Sequence, residues 1–137
     1  MASEKDILDR RKEMSDKIST QVRTLGIGLL AFTWGLVVSD SAVAKSITSD
    51  LKWHLLLIGC LAIVVILADF LQYACGHQVA LRTLRKMEAD GKDSAEYDYK
   101  DPFWIWQTRF FNIKQIVLIV ATVYLLAAIV TYLVVRV

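Results

Sequence analysis

Residues 53–75 read WHLLLIGCLAIVVILADFLQYAC, 23 residues that contain one acid, Asp69, and no base. A helix that crosses a ~30 Å hydrocarbon layer needs ~20 mainly apolar residues in a row, because only a closed ladder of backbone hydrogen bonds is tolerated in lipid. This block meets that length, and two others flank it. Residues 116–135 hold 20 residues without a charge, and residues 25–39 hold 15. At 1.5 Å per residue the first of the three covers only ~22 Å, so its span is short. The sequence therefore predicts an all-α integral membrane protein with three transmembrane helices at 25–39, 53–75 and 116–135.

The whole chain agrees with this reading. Of its 137 residues 55% are hydrophobic and 22% charged, and the mean hydropathy is +0.44. That excess of apolar residues is more than the core of a small soluble domain takes up. Two cysteines exclude a disulfide scaffold, and the length excludes a multidomain enzyme. Lysine and arginine are distributed unevenly: six lie in 1–23 and seven in 76–115, against two in 40–52 and one at Arg136. The positive-inside rule then places the N terminus and 76–115 in the cytoplasm, and the 40–52 loop and the C terminus outside. Eleven acids accompany the 13 inner bases, so neither a polybasic lipid patch nor a nucleic-acid surface is expected.

Two targeting patterns are read as coincidence. Ala42-Val43-Ala44 has the spacing of a signal-peptidase site, but the 24 residues before the first apolar block carry five acids. Leu57-Ile58-Gly59-Cys60 has the form of a lipoprotein box, yet follows Lys52 too closely.

The charged segments read as helical extensions of the spans. Residues 3–24 open on Ser3 and Asp6, and Ile7, Met14, Ile18, Val22 and Leu25 form one apolar stripe. Residues 76–90 are rich in helix formers and stop at Gly91; 91–101 are a polar connector. Asp101-Pro102 then gives a cap followed by a first-turn proline, which starts a helix over 102–115 that continues into the third span. Trp53, Phe103, Trp104 and Trp106 are placed to form aromatic belts at the two interfaces. Alternatively, Trp104 and Phe111 close a small cytoplasmic bundle against the N-terminal stripe.

Two faces stand out inside the membrane. Gly28, Ala31, Gly35 and Ser39, preceded by Thr24, step along one side of the first span and suit close helix approach, within the chain or between copies. Asp69, Gln72 and Tyr73, with Gly76, form a polar face on the second. An intramembrane acid costs ~2.5–3.5 kcal/mol on insertion scales and usually faces protein or water. Three roles are open to Asp69: a polar clamp to Thr33, Trp34 or a tyrosine, an acid reaching the interface, or a proton or cation site. With every base placed outside the hydrocarbon, an unpaired acid is expected to stay protonated.

No phosphate loop, metal-ligand spacing or nucleophile motif is present. His54 and His77 stand 23 residues apart, roughly 35 Å along one helix, and Cys60 and Cys75 are too distant to pair. No enzyme activity, cofactor or metal is expected. The order of charged helix, short span, brief outer turn and second span continuing inward resembles the SLATT-type effectors encoded near bacterial defence systems. The resemblance covers roughly residues 5–90, and the third span departs from that two-span layout. The small-residue face, the polar face around Asp69 and the helical stalk lead to the expectation of a self-associating, pore-forming or membrane-disturbing effector controlled through its cytoplasmic helices, and the resemblance implies a bacterial cytoplasmic membrane. The competing expectation is a non-catalytic accessory or assembly subunit, with a membrane protein as partner. A minimal transporter that uses Asp69 as its coupling site is a third.

Overall fold

A computed structural model describes residues 4–91 and 100–136, apart from the side chains of 4–9, 11 and 136. The described residues form three helices: α1 (Glu4–Val38), α2 (Ala42–Asp90) and α3 (Pro102–Arg136). All three are long and apolar enough to cross a membrane. At 1.5 Å per residue α2 is ~74 Å long and α1 and α3 ~52 Å each, so every helix extends well beyond a hydrocarbon layer. The predicted extensions of 3–24, 76–90 and 102–115 are thus continuous with their spans. The Ser3 cap and the interior of the connector, 92–99, lie outside the described residues.

One expected loop is helix instead. Of 40–52, only the residues up to Ser41 are non-helical, and α2 begins at Ala42. Ser41 caps it: its hydroxyl accepts from the Ala44 N–H at 3.1 Å. Residues 42–52 contain no glycine or proline to interrupt the helix once it is capped. The Ala42-Val43-Ala44 pattern is the first turn of α2. Thr48 closes the tight α1–α2 hairpin by donating to the Leu36 carbonyl at 3.2 Å.

The opposite end of α2 follows the sequence. Gly91 adopts φ 61°, a left-handed conformation that costs glycine little, and its N–H returns to the Met87 carbonyl. After the connector, Asp101 accepts from the Phe103 N–H at 2.8 Å and so caps α3 behind Pro102. Arg82 of α2 reaches the same carboxylate at 3.1 Å and lies 4.4 Å from the centre of the Phe103 ring. Cap, ion pair and cation–π contact therefore fasten α2 to α3 at one point.

From there α2 and α3 run antiparallel, with polar or close contacts at four levels. Gly76 faces Gln107, Asp69 faces Lys114, His54 bonds Tyr124 at 2.6 Å, and Ser46 bonds Tyr132 at 3.1 Å. α1 also packs on α2. A Cβ on Gly26 would stand 3.1 Å from Val65 Cγ1, so the absence of a side chain sets the approach of the two helices. Val22, Val65 and Leu118, one from each helix, form a buried cluster within the core, with Leu29 and Val117 packed against it.

The Asp101 carboxyl is held below the ordinary carboxylate range, first by the Phe103 N–H and further by Arg82. A depressed acid stabilises the fold fully above its ordinary pKa, and the contribution is lost as pH falls through the lowered folded value. The protection of the Phe103 amide against exchange, relative to its intrinsic rate at each pH, should therefore persist from neutral pH into the mildly acidic range and fall only below it. In Asp101→Ala the Phe103 amide should lose its protection at every pH; equal protection in that variant would show that the cap does not hold α3.

Candidate functional site: a three-helix charge cluster

The polar face predicted on the second span becomes the centre of the molecule. Asp69 is 3% exposed, and its two oxygens are shared among the other helices. Oδ1 accepts from the Lys114 ammonium of α3 and, at 3.0 Å, from the Ser19 hydroxyl of α1. Oδ2 accepts from Arg23 Nε of α1 at 2.7 Å. Lys114 Nζ also donates to Ser19 Oγ at 2.6 Å and lies 5.4 Å from the Phe111 ring centre. The Tyr73 hydroxyl approaches Ser19 Oγ at 3.5 Å, and the Arg23 guanidinium lies over the Tyr73 ring at 5.0 Å. One carboxylate thus joins all three helices.

The local sequence explains why these groups converge. Ser19 and Arg23 stand one turn apart on α1, on the side that carries Val22 and Gly26 against α2. Asp69 and Tyr73 repeat the same spacing on α2. Lys114 stands two residues before the apolar block of α3, and antiparallel register brings it level with Asp69. The apolar blocks of α2 and α3 are therefore staggered. The last turns of the α2 block, from Asp69 onward, lie against the polar start of α3.

Two expectations change here. The clamp expected from Thr33, Trp34 or a tyrosine is a clamp of other composition: Thr33 donates to its own helix, at the Leu29 and Leu30 carbonyls, and Trp34 is exposed. Asp69 is also not unpaired, so the ground for expecting it to be protonated is removed. Arg23 and Lys114 flank the apolar blocks of their own helices, and the packing of α1 and α3 on α2 brings both level with Asp69. The signal available in the sequence was a base two residues before each of the outer two blocks.

The remaining predicted residues separate into two groups. Gln72 is buried one turn beyond Asp69, with its Oε1 unpartnered among the described residues. Gly76 leaves room for the Gln107 side chain, which would come within 3.1 Å of an added Cβ. Gly28, Ala31 and Gly35 face away from α2: all three are exposed, and a Cβ on either glycine would meet nothing within 4 Å. Ser39 belongs to the hairpin, where it bonds Ser41 at 3.3 Å. Of the expected belts, Trp53 and Trp106 are exposed, and Trp106 stacks on Phe110. Phe103 packs under Arg82, and Trp104 is half-buried.

Among the described residues the N-terminal stripe is mostly exposed. Met14, Ile18 and Leu25 are exposed, Val22 alone enters the core, and the Ile7 side chain lies outside the described residues. Among the described residues no three His, Cys, Asp or Glu side chains converge on a metal position. No protein-family model, characterised protein or solved structure matches the chain.

The cluster acts as a fastener whose parts differ in weight. Removing one partner of a buried ion pair costs about 3–5 kcal/mol because the other charge is stranded. Lys114, at 0% exposure, cannot reach water, whereas the Arg23 side chain is 44% exposed, and its pairing carries nearer the ~0–1 kcal/mol of a surface pair. Thermal unfolding in detergent should therefore rank Asp69→Asn as the most damaging change, Lys114→Met next and Arg23→Gln least. An Asp69→Asn protein that unfolds with the wild type would contradict the fastener.

Proposed function

We propose that the chain is a non-catalytic integral membrane protein that self-associates through α1. Its assembly acts as a membrane-disturbing effector controlled through the charged halves of its helices. The observation that carries this reading is the orientation of the small-residue face. α1 has two such sides. Gly26 serves the contact with α2, and Gly28, Ala31 and Gly35 stand on the other, open side. Association in lipid depends on close backbone approach, for which a second small-residue side is suited.

The charge cluster supports the same division of roles. Asp69 is occupied by three donors in the interior of one chain, which leaves it no part in lining a passage. A conducting path, where one forms, lies between protomers along α1. The asymmetry of lysine and arginine supports an inner position for the N terminus and for the α2–α3 connector, and an outer one for the α1–α2 hairpin. The charged ends of α1 and α2 are then the parts that meet a cytoplasmic signal.

The test pairs two substitutions of the same kind on opposite sides of α1. Gly28→Leu with Gly35→Leu should leave the unfolding midpoint of the protomer unchanged while abolishing cross-linked oligomers and dye release from liposomes. Gly26→Leu, which must displace Val65, should lower the midpoint, by about 1–3 kcal/mol in stability. An unaltered oligomer ladder in the Gly28/Gly35 variant would overturn self-association through this face. A stoichiometric membrane-protein partner in place of the ladder would give the accessory-subunit reading instead.

A further inference from the structure

We propose that an anionic phospholipid binds between α1 and α2, its phosphate on Arg23 and an acyl chain along Ile27, Ile66 and Phe70. A groove of about 500 Å³ opens there, lined by those four residues together with Asp69 and Tyr73. Its two ends differ in chemistry. Arg23, Asp69 and Tyr73 lie toward the charged halves of the helices, and Ile27 and Ile66 lie one turn farther toward the hairpin. Phe70 forms the exposed outer edge. A polar head with an apolar channel continuing from it is the profile of a phospholipid.

The charge of the cluster selects the sign of the head. Two cations, Arg23 and Lys114, meet a single carboxylate, Asp69, so the cluster holds one positive charge in excess. Lys114 is sealed, and both oxygens of Asp69 are engaged. The excess therefore emerges at Arg23, the one partly exposed member of the ion-paired set. Its Nε is given to Asp69, its guanidinium lies over Tyr73, and the side chain lines the groove. A guanidinium edge matches phosphate oxygens in geometry as well as charge. Arg23 stands two residues before the apolar block of α1, which is the level of lipid headgroups once that block lies in hydrocarbon. The site rests on the membrane-embedded reading and is independent of self-association.

The experiment uses the full chain purified in uncharged detergent, with the unfolding midpoint followed by circular dichroism. Short-chain phosphatidylglycerol, short-chain phosphatidylcholine and inorganic phosphate are titrated separately. Phosphatidylglycerol should raise the midpoint saturably, phosphatidylcholine should act about tenfold more weakly, the scale of one charge-assisted hydrogen bond, and inorganic phosphate should have no effect. Ile27→Trp fills the groove without touching the ion pairs; it should keep the starting midpoint and lose the response to phosphatidylglycerol. Arg23→Gln should lose that response as well, and if this variant does not fold, Ile27→Trp alone decides. A response that survives Ile27→Trp, or an equal response to both lipids, would overturn the site. Inorganic phosphate acting as strongly as phosphatidylglycerol would overturn the lipid as occupant. Release of the chain from membranes without detergent would instead overturn the embedded reading itself.

Discussion

A carboxylate within an apolar helical block has to be neutralised or matched, and in this chain the matching organises the whole molecule. Asp69 of α2 receives Lys114 from α3 and Arg23 and Ser19 from α1. Apolar contacts between helices in lipid carry no hydrophobic driving force, since the lipid tails offer the same surroundings. A buried ion pair differs: separating it strands a charge. The pairing thereby fixes the level at which α2 and α3 slide past each other and the side of α1 that faces them. The buried apolar set of Val22, Val65 and Leu118 lies alongside the cluster. Toward the connector the Arg82–Asp101 pair keeps the same register, and toward the hairpin the His54–Tyr124 and Ser46–Tyr132 bonds join the two helices at a register offset by five residues.

The cost of this arrangement explains its asymmetry. A fully buried ion pair is often no more stable than an apolar pair of the same shape, so its value lies in specifying one arrangement over others. Lys114 is committed to the interior, whereas Arg23 reaches it from the rim. Three apolar helices without such a fixed point would have many nearly equal ways to pack. With it, α1 has a defined inner side, marked by Gly26, and a defined outer side, marked by Gly28 and Gly35.

The elements were legible in the sequence wherever a single segment carries its own signal. Gly91 as a stop and Asp101-Pro102 as a start appear where expected, because caps are set by neighbours in the chain. The three apolar blocks needed only length and composition. The expectation of a loop over 40–52 fails because the apolar block begins only at Trp53, whereas the Ser41 cap and the absence of any helix breaker from 42 to 52 start α2 eleven residues earlier. The polar face of Asp69, Gln72 and Tyr73 followed from helical periodicity. Its partners did not, because they depend on the register between helices, which no single segment encodes. Assigning bases to the outside by their distance from their own apolar block also ignores the stagger between helices that brings Lys114 level with Asp69. The small-residue face of α1 was visible as a pattern, but which of its two sides turns inward is decided by Ser19 and Arg23 meeting Asp69.

The most direct measurement of the central claim is the through-space dipolar coupling between the Asp69 side-chain carbon and the Lys114 side-chain nitrogen. It would be recorded by solid-state NMR on the selectively labelled chain in bilayers. Contact-range dephasing, lost in Asp69→Asn, is the result expected of a carboxylate that holds α3 through Lys114. An Asp69 carbon that shows no coupling to that nitrogen in the intact protein would mean that the three helices are held together by something else.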